Sequence, residues 1–292
     1  MYAADFDYYR AGSVAEAGDL LKKHPGAKLL AGGHSLIPLL KLRLAAPPAL
    51  IDISRIAELK GVTVRDGTVR IGALTTHADL AGSAALREHC PALADAAAHV
   101  GDPAVRNRGT IGGNVAHADP ASDLPTVLTA LNARFAVTGP NGSRPVDASG
   151  FFKGMMATAL GEQDLLIAID VPARVKGQGM AYVKFSHPAS RYAVLGVAAI
   201  LSVAGGKCAA AAVALGGLVP KPARAAAVEK ALGGQALSGE TIAKAASQVS
   251  QDLGTDILGD IYASAEYRQA VAPVWVKRAL ALAASRAGTA LG

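Results

Sequence analysis

Two glycine pairs about eighty positions apart set the first constraint on this chain. Gly32-Gly33 sits in Ala31-Gly32-Gly33-His34-Ser35, and Gly112-Gly113 in Thr110-Ile111-Gly112-Gly113-Asn114. The second segment runs on through His117, Ala118, Asp119 and Pro120 to Ser122 and Asp123. A glycine has no Cβ in front of its backbone N–H, so the chain can approach an anion closely there. Two such segments, each followed by polar side chains, can grip one long anionic molecule at two places. That points to a dinucleotide rather than a lone phosphate.

Local context sharpens the first segment. Ala27–Ala31 reads as a short buried strand, and Ser35–Leu42 as the opening of a helix with Ser35 at its N-cap. A strand, a glycine turn and a helix N-terminus together make an anion site. Lys28 either adds positive charge or is a solvated strand end, and His34 either packs or takes a chemical role. Ser35 caps the helix or contacts phosphate. The commoner nucleotide motifs are missing: no G-x-G-x-x-G opens a helix after the first strand, and Gly206-Lys207 runs into Cys208 without the upstream glycine of a P-loop.

The net charge of +6 invites a nucleic-acid reading, but the cations are dispersed. The densest spots, Lys22-Lys23, Arg106-Asn107-Arg108 and Lys277-Arg278, have no interleaved aromatics for base stacking. A basic surface serves an anionic cofactor or an acidic partner subunit instead. Only Cys90 and Cys208 are present, too few to ligate an iron–sulfur cluster and not arranged as C-x-x-C. That usage fits a reducing cytoplasm. The seven histidines form no metal-ligand spacing. Met1–Asp5 has no signal-peptide character. The most apolar stretch, Tyr192 to Pro220, is broken by Gly205-Gly206-Lys207, so it reads as a β-hairpin rather than a transmembrane segment.

The chain begins as strand, helix, strand, strand: Phe6–Arg10, Ser13–His24, Lys28–Ala31 and Leu50–Ile53, a small βαβ unit. Alternation around Asp66-Gly67 gives a hairpin over 62–71. Helices are expected near Thr75–Ala81, Pro91–Ala98 and Asp123–Leu131, then strands over Arg134–Thr138 and Leu165–Val171 with Asn141-Gly142 between them. From about Val175 three strands (Gly179–Ser186, Ala193–Val203, Cys208–Leu215) precede three alanine-rich helices (Ala223–Leu232, Ser238–Val249, Ala265–Ala284). The expected division is residues 1–175, with parts 1–57 and 58–175, followed by an α+β domain over 176–292.

Three segments, AGGHSLIPLLKLRLA (31–45), VGDPAVRNRGTIGGNVAHADPASDLP (100–125) and YVKFSHPASRYAVLGVAA (182–199), resemble the FAD-binding medium subunits of molybdenum hydroxylases. The likeness is of the carbon-monoxide dehydrogenase medium-chain type, within the wider xanthine dehydrogenase flavin-domain family, and runs from Phe6 to about Leu282. It implies an α+β fold. A two-part FAD-binding domain of the vanillyl-alcohol oxidase/p-cresol methylhydroxylase type would be followed by a C-terminal domain of a three-stranded antiparallel sheet plus helices.

The resemblance also implies non-covalent FAD. The candidate cofactor-binding residues are Lys28, Leu29, Leu30, Ala31, Gly32, Gly33, His34, Ser35, Val100, Thr110, Gly113, Asn114, His117, Asp123, Leu166, Lys184 and Tyr192. Thr110 and Asn114 would touch the cofactor, and the Asp123 carboxylate could accept from its sugar or ribityl hydroxyls. Lys184 would reach the flavin from the second domain, where a positive charge near N1 and O2 steadies the reduced ring. Tyr192 would stand against the isoalloxazine. Pro188–Tyr192 contains none of the acids that the xanthine dehydrogenase type carries there, which speaks against NAD as oxidant.

Neither a catalytic constellation nor a metal set is legible. The resemblance implies that substrate oxidation takes place on a molybdopterin-binding large subunit, with a [2Fe-2S] small subunit between, in a dimer of heterotrimers. No nucleic-acid partner is expected, and the complex would be cytoplasmic, with peripheral attachment to the inner membrane face left open. The alternative is a stand-alone FAD-dependent oxidoreductase with its own small-molecule substrate.

Overall fold

A computed structural model describes residues 2–289 and 291. The N-terminal unit is built from β1 (Asp7–Arg10), α1 (Val14–Lys23), β2 (Lys28–Leu30), α2 (Leu36–Lys41) and β3 (Ala49–Asp52). Its three strands are parallel in the order β1-β3-β2, which places the fully buried β3 at the centre. Helix α1 starts where the Ser13 hydroxyl accepts from the Glu16 N–H, and its Ala17 and Leu21 face a small core with Ile51 and Ile53.

The second unit opens with the hairpin β4 (Val62–Arg65) and β5 (Thr68–Gly72), turned at Asp66-Gly67 as the sequence predicts. Six helices follow: α3 (His77–Gly82), α4 (Ala84–His89), α5 (Pro91–His99), α6 (Pro103–Arg106), α7 (Ile111–His117) and α8 (Asp123–Ala130). Thr76 and Asp79 form a reciprocal capping box on α3, and Asp102 caps α6. Next come β6 (Arg134–Gly139), β7 (Gly142–Asp147), α9 (Ala148–Phe151), the small pair β8 (Phe152–Gly154) and β9 (Ala157–Thr158), and β10 (Leu165–Pro172). The main sheet is antiparallel in the order β4-β5-β10-β6-β7.

Two expectations need amending here. Asn141-Gly142 does not separate β6 from β10; it turns β6 into β7, an exposed and polar strand that its composition conceals. The Gly112-Gly113 segment is not a loop but the first turn of α7, because the Thr110 hydroxyl accepts from the Gly113 N–H and starts a helix there.

The C-terminal unit contains β11 (Gln178–Ser186), β12 (Ala193–Ala204) and β13 (Lys207–Gly216), with a two-residue fourth strand, β14 (Ala223–Arg224), beside β13. Helices α10 (Ala226–Leu232), α11 (Gly239–Ser247) and α12 (Ala265–Arg286) follow. This sheet is covered on both faces, which explains the unbroken apolar run of β12. Met180, Tyr182, Ala198, Ile200 and Ala214 pack with the second unit, while Ala181, Leu195, Val197, Ala199 and Leu215 pack against the C-terminal helices.

Arg268 of α12 fastens that layer. The residue is 5% exposed, and its guanidinium donates to the carbonyls of Val194, Gly217 and Ala263 and to the Asp260 carboxylate. Replacing it with leucine would take this donor from the Val194 and Gly217 carbonyls, whereas the Ala263 carbonyl keeps the Asp260 N–H and the half-exposed Asp260 carboxylate keeps the N–H groups of Tyr262 and Ala263. Arg268→Leu is expected to lower unfolding free energy by about 3 kcal/mol in urea titrations. A change below roughly 0.5 kcal/mol would show that the guanidinium contributes no more than an ordinary surface side chain.

Candidate functional site

A cleft of about 740 Å³ lies between the three units. The β2–α2 turn forms one wall, the α6–α7 segment the floor, and the β11–β12 loop contributes Ser190, Arg191 and Tyr192 from the C-terminal sheet. That volume falls within the roughly 300–1,000 Å³ usual for small-molecule sites.

The two glycine segments touch. A Cβ on Gly32 would overlap the Arg108 carbonyl oxygen and come within 3.0 Å of the Gly109 Cα. Gly33 has φ +77°, in the left-handed region that favours glycine, and any Cβ there would press on Ile37. Among the described residues, no protein acceptor takes the backbone N–H groups of Gly32, Gly33, His34 or Ser35. The first segment thus presents a row of free donors to the cleft. Ser35 does not cap α2: its backbone is already helical and its hydroxyl makes no capping bond, so that hydroxyl is left to the cleft.

The second segment differs. The N–H groups of Ile111, Gly112 and Asn114 bond to the carbonyls of Thr75, Ala73 and Thr110, and that of Gly113 to the Thr110 hydroxyl. Gly112 is a packing glycine, since a Cβ would come within 2.6 Å of the Ala73 oxygen. Only Gly113 turns its bare side to the cleft, where a Cβ would meet nothing but Thr110 Oγ1 at 2.9 Å. What this segment offers is a flat helical surface with side-chain groups. Asn114 donates to Ser122 Oγ at 3.1 Å, while its Oδ1 is buried without a partner.

Every predicted site residue except Leu30 and Lys184 lines the cleft: Lys28, Leu29, Ala31 to Ser35, Val100, Thr110, Gly113, Asn114, His117, Asp123, Leu166 and Tyr192. Leu30 does not line the cleft; its Cδ1 lies beside Gly33. Strand alternation that puts Leu29 at the cleft takes Leu30 away. Sequence reasoning missed His77, which lies one residue after a threonine N-cap and carries no glycine signal.

Lys184 does not reach into the cleft. Its Nζ is buried, 2.8 Å from Asp123 Oδ2 and 3.1 Å from the His99 carbonyl oxygen. Tyr182, two residues earlier on the same face of β11, donates to Asp123 Oδ1 at 2.5 Å. Both carboxylate oxygens of Asp123 are thus engaged by the C-terminal sheet, rather than kept free for sugar hydroxyls. Burial pushes the Asp123 carboxyl above its ordinary value, while the Lys184 ammonium and the Tyr182 hydroxyl pull it back. The same burial, with the neighbouring carboxylate, drives the Tyr182 phenol well above its usual range, so it stays a donor.

The bare N–H row, the orphaned Asn114 oxygen and the glycine surfaces fit a long molecule with both phosphate and hydroxyl or ring donors, which is what FAD presents. Fold and cleft together describe a carrier for a dinucleotide of the FAD kind. Residues 4–174 match the family model for the FAD binding domain in molybdopterin dehydrogenase, and residues 180–283 match that for the CO dehydrogenase flavoprotein C-terminal domain. The chain therefore belongs to the family of FAD-binding medium subunits of molybdenum hydroxylases.

Among its relatives is the carbon monoxide dehydrogenase medium chain of Hydrogenophaga pseudoflava, 41% identical over 96% of this chain and 98% of that one. Another is the glyceraldehyde dehydrogenase medium chain of Sulfolobus acidocaldarius, 39% identical over 96% of this chain and 98% of that one. The solved structure of carbon monoxide dehydrogenase from H. pseudoflava lacking the Mo-pyranopterin moiety superposes with a TM-score of 0.93 at 42% identity, covering 98% of this chain and 99% of its counterpart.

Two outcomes test this geometry. Gly33→Val and Gly113→Val are each expected to abolish FAD retention, the first by forcing a disfavoured backbone and the second by filling the open face of α7. Stoichiometric flavin in either folded variant would reduce that segment to a turn. Lys184→Met should cost about 3–5 kcal/mol by leaving a buried carboxylate uncompensated, and adding Asp123→Asn should recover most of it. Denaturant unfolding of the two single variants and the double variant measures the coupling.

Proposed function

We propose that this chain is the FAD-carrying electron-transfer subunit of a heterotrimeric molybdenum hydroxylase, assembled with a molybdopterin-binding large subunit and a [2Fe-2S] small subunit as a dimer of heterotrimers. It would divide at about residue 175 into the two-part FAD-binding domain and the α+β domain that closes the cleft. The relative with 41% identity is itself named as the medium chain of a carbon monoxide dehydrogenase, which supports the subunit reading. The single observation that carries it is the cleft: free backbone donors on one wall, a glycine-flattened helix on another, and an aromatic side chain brought by a separate unit.

Each part then has a task. The N–H row of residues 32–35 and the Lys28 ammonium bind and orient the anionic stretch of the cofactor. Thr110 and Asn114 hold its polar groups from α7. Asp123, fixed by Lys184 and Tyr182, keeps the base of the cleft polar without being free to swing. Tyr192 is 48% exposed and lies at the edge of the cleft, where its ring limits access of water and acceptor. FAD supplies the exchange between one-electron and two-electron transfer.

Cys90 and Cys208 are free and buried, and neither lines the cleft. The flavin would therefore be held without a cysteinyl bond, and the cluster and molybdenum ligands would come from other chains. No helix among the described residues is long and apolar enough to cross a membrane. A cytoplasmic complex is the setting in which free thiols and such partners coexist.

Co-expression with the two partner chains is the decisive experiment. The isolated chain should be yellow, release all its flavin into the supernatant on acid precipitation, and show no hydroxylase activity. In the assembled complex, substrate should bleach the flavin, and Tyr192→Ala should change the rate of flavin reoxidation while leaving the partner centres reducible. Full turnover by the isolated chain would favour the stand-alone oxidoreductase instead.

A further inference from the structure

His77 is a buried titratable side chain at the cleft, and among the described residues none holds its ring. It is 3% exposed and lines the cleft, yet among the described residues neither ring nitrogen has a hydrogen-bond partner. The two nitrogens differ: Nδ1 is fully enclosed, whereas Nε2 is not among the enclosed unpartnered atoms. The open edge of the imidazole is therefore the Nε2 edge, at the cleft.

Its position is fixed from three directions. The His77 N–H bonds to the Gly109 carbonyl, and Thr76 pairs with Thr110 across an isolated bridge, so the start of α3 is stitched to the segment that leads into α7. A Cβ on Gly109 would come within 2.7 Å of His77 Cδ2 and 2.9 Å of Nε2, so the ring edge lies against bare backbone. Gly109 is also where Gly32 makes its close approach. Gly32, Gly109 and His77 thus meet at one point, the seam between the two glycine segments. The free N–H groups of residues 32–35 begin at that seam.

Burial above all, with the Arg106 guanidinium nearby, pushes the His77 imidazole down to about 4. At neutral pH the ring is uncharged and carries one proton. An N–H sealed in at Nδ1 without an acceptor costs more than one directed to an open cleft, so the proton belongs on Nε2.

We propose that His77 is a further FAD-binding residue, whose Nε2–H donates to the anionic diphosphate of the cofactor at the seam of the two glycine segments. The inference rests on the FAD reading above and adds a neutral side-chain donor to the backbone row. Nε2 is the one ring nitrogen a ligand in the cleft can reach, and among the described residues no protein acceptor takes its proton. A bond from a neutral donor to a charged acceptor is among the stronger kinds, and its loss corresponds to roughly a ten- to hundredfold weakening of binding.

The test uses the full chain stripped of flavin and titrated with FAD, following quenching of flavin fluorescence. His77→Leu should weaken binding ten- to a hundredfold. His77→Gln, whose amide nitrogen reaches the place of Nε2, should recover most of that loss. In the unaltered protein, long-range ¹⁵N–¹H spectra should show His77 as the Nε2–H tautomer with a resonance that shifts on adding FAD. Unchanged affinity in His77→Leu, or a Gln variant as weak as the Leu variant, would overturn the proposal. If His77→Leu does not fold, the Gln variant and the spectra decide: an Nε2 signal indifferent to FAD overturns it. Failure of the unaltered chain to bind FAD at all is a different result and would refute the functional reading itself.

Discussion

The cleft exists because two stretches of backbone touch where neither has a side chain in the way. Gly32 lies against the Arg108 carbonyl and Gly109, and the three-stranded N-terminal unit is thereby seated on the helical part of the second unit. A single methyl group at Gly32 would push the segments apart, because the opposing atoms are backbone and cannot rotate away. The free N–H row, the position of His77 and the distance from β2 to α7 all follow from that contact. Glycine is used at this point for closeness, and at Gly33 for a backbone angle that other residues rarely adopt.

The third wall is attached differently. Asp123, at the start of α8, is gripped from the C-terminal sheet by Lys184 and Tyr182. Such a buried group of charges adds little net stability compared with apolar packing, but it is costly to break and strict about geometry. It therefore specifies how the sheet sits on α8, and with it where the β11–β12 loop carries Tyr192. That loop is tied to itself as well: His187 Nδ1 accepts from the N–H groups of Ala189 and Ser190, and the His187 N–H bonds to the Tyr192 carbonyl.

Much of this was legible in the sequence, and the reasons are local. The hairpin at Asp66-Gly67, the capped helix after Ser13 and the long apolar strands of the C-terminal sheet announce themselves through turn chemistry and periodicity. The first glycine segment is equally plain, because strand, turn and helix are contiguous. What was not legible depends on contacts distant in sequence. Lys184 reads as a flavin contact until Asp123, sixty-one positions away, is seen to hold it. Residues 110–114 read as a second anion loop, yet their N–H groups are consumed by Thr75, Ala73 and Thr110, which no motif reveals. Polar β7 lacks apolar alternation because only one edge and little of its surface is covered. His77 had no signal beyond a threonine cap and becomes visible only through its burial.

The C-terminal sheet carries a dent that matches α8. Gly196 and Gly216 are paired across β12 and β13, and a Cβ on the first would overlap the Tyr182 hydroxyl while one on the second would overlap Thr126 Oγ1. Thr126 of α8 thus occupies room that Gly216 has vacated, and Gly196 makes room within the sheet for Tyr182, whose hydroxyl reaches Asp123 of α8. The C-terminal sheet keeps a cast of α8, so recombination between related proteins at the boundary near residue 175 would succeed only when helix and sheet come from the same lineage. Two modules separable on paper are, for this reason, heritable as one.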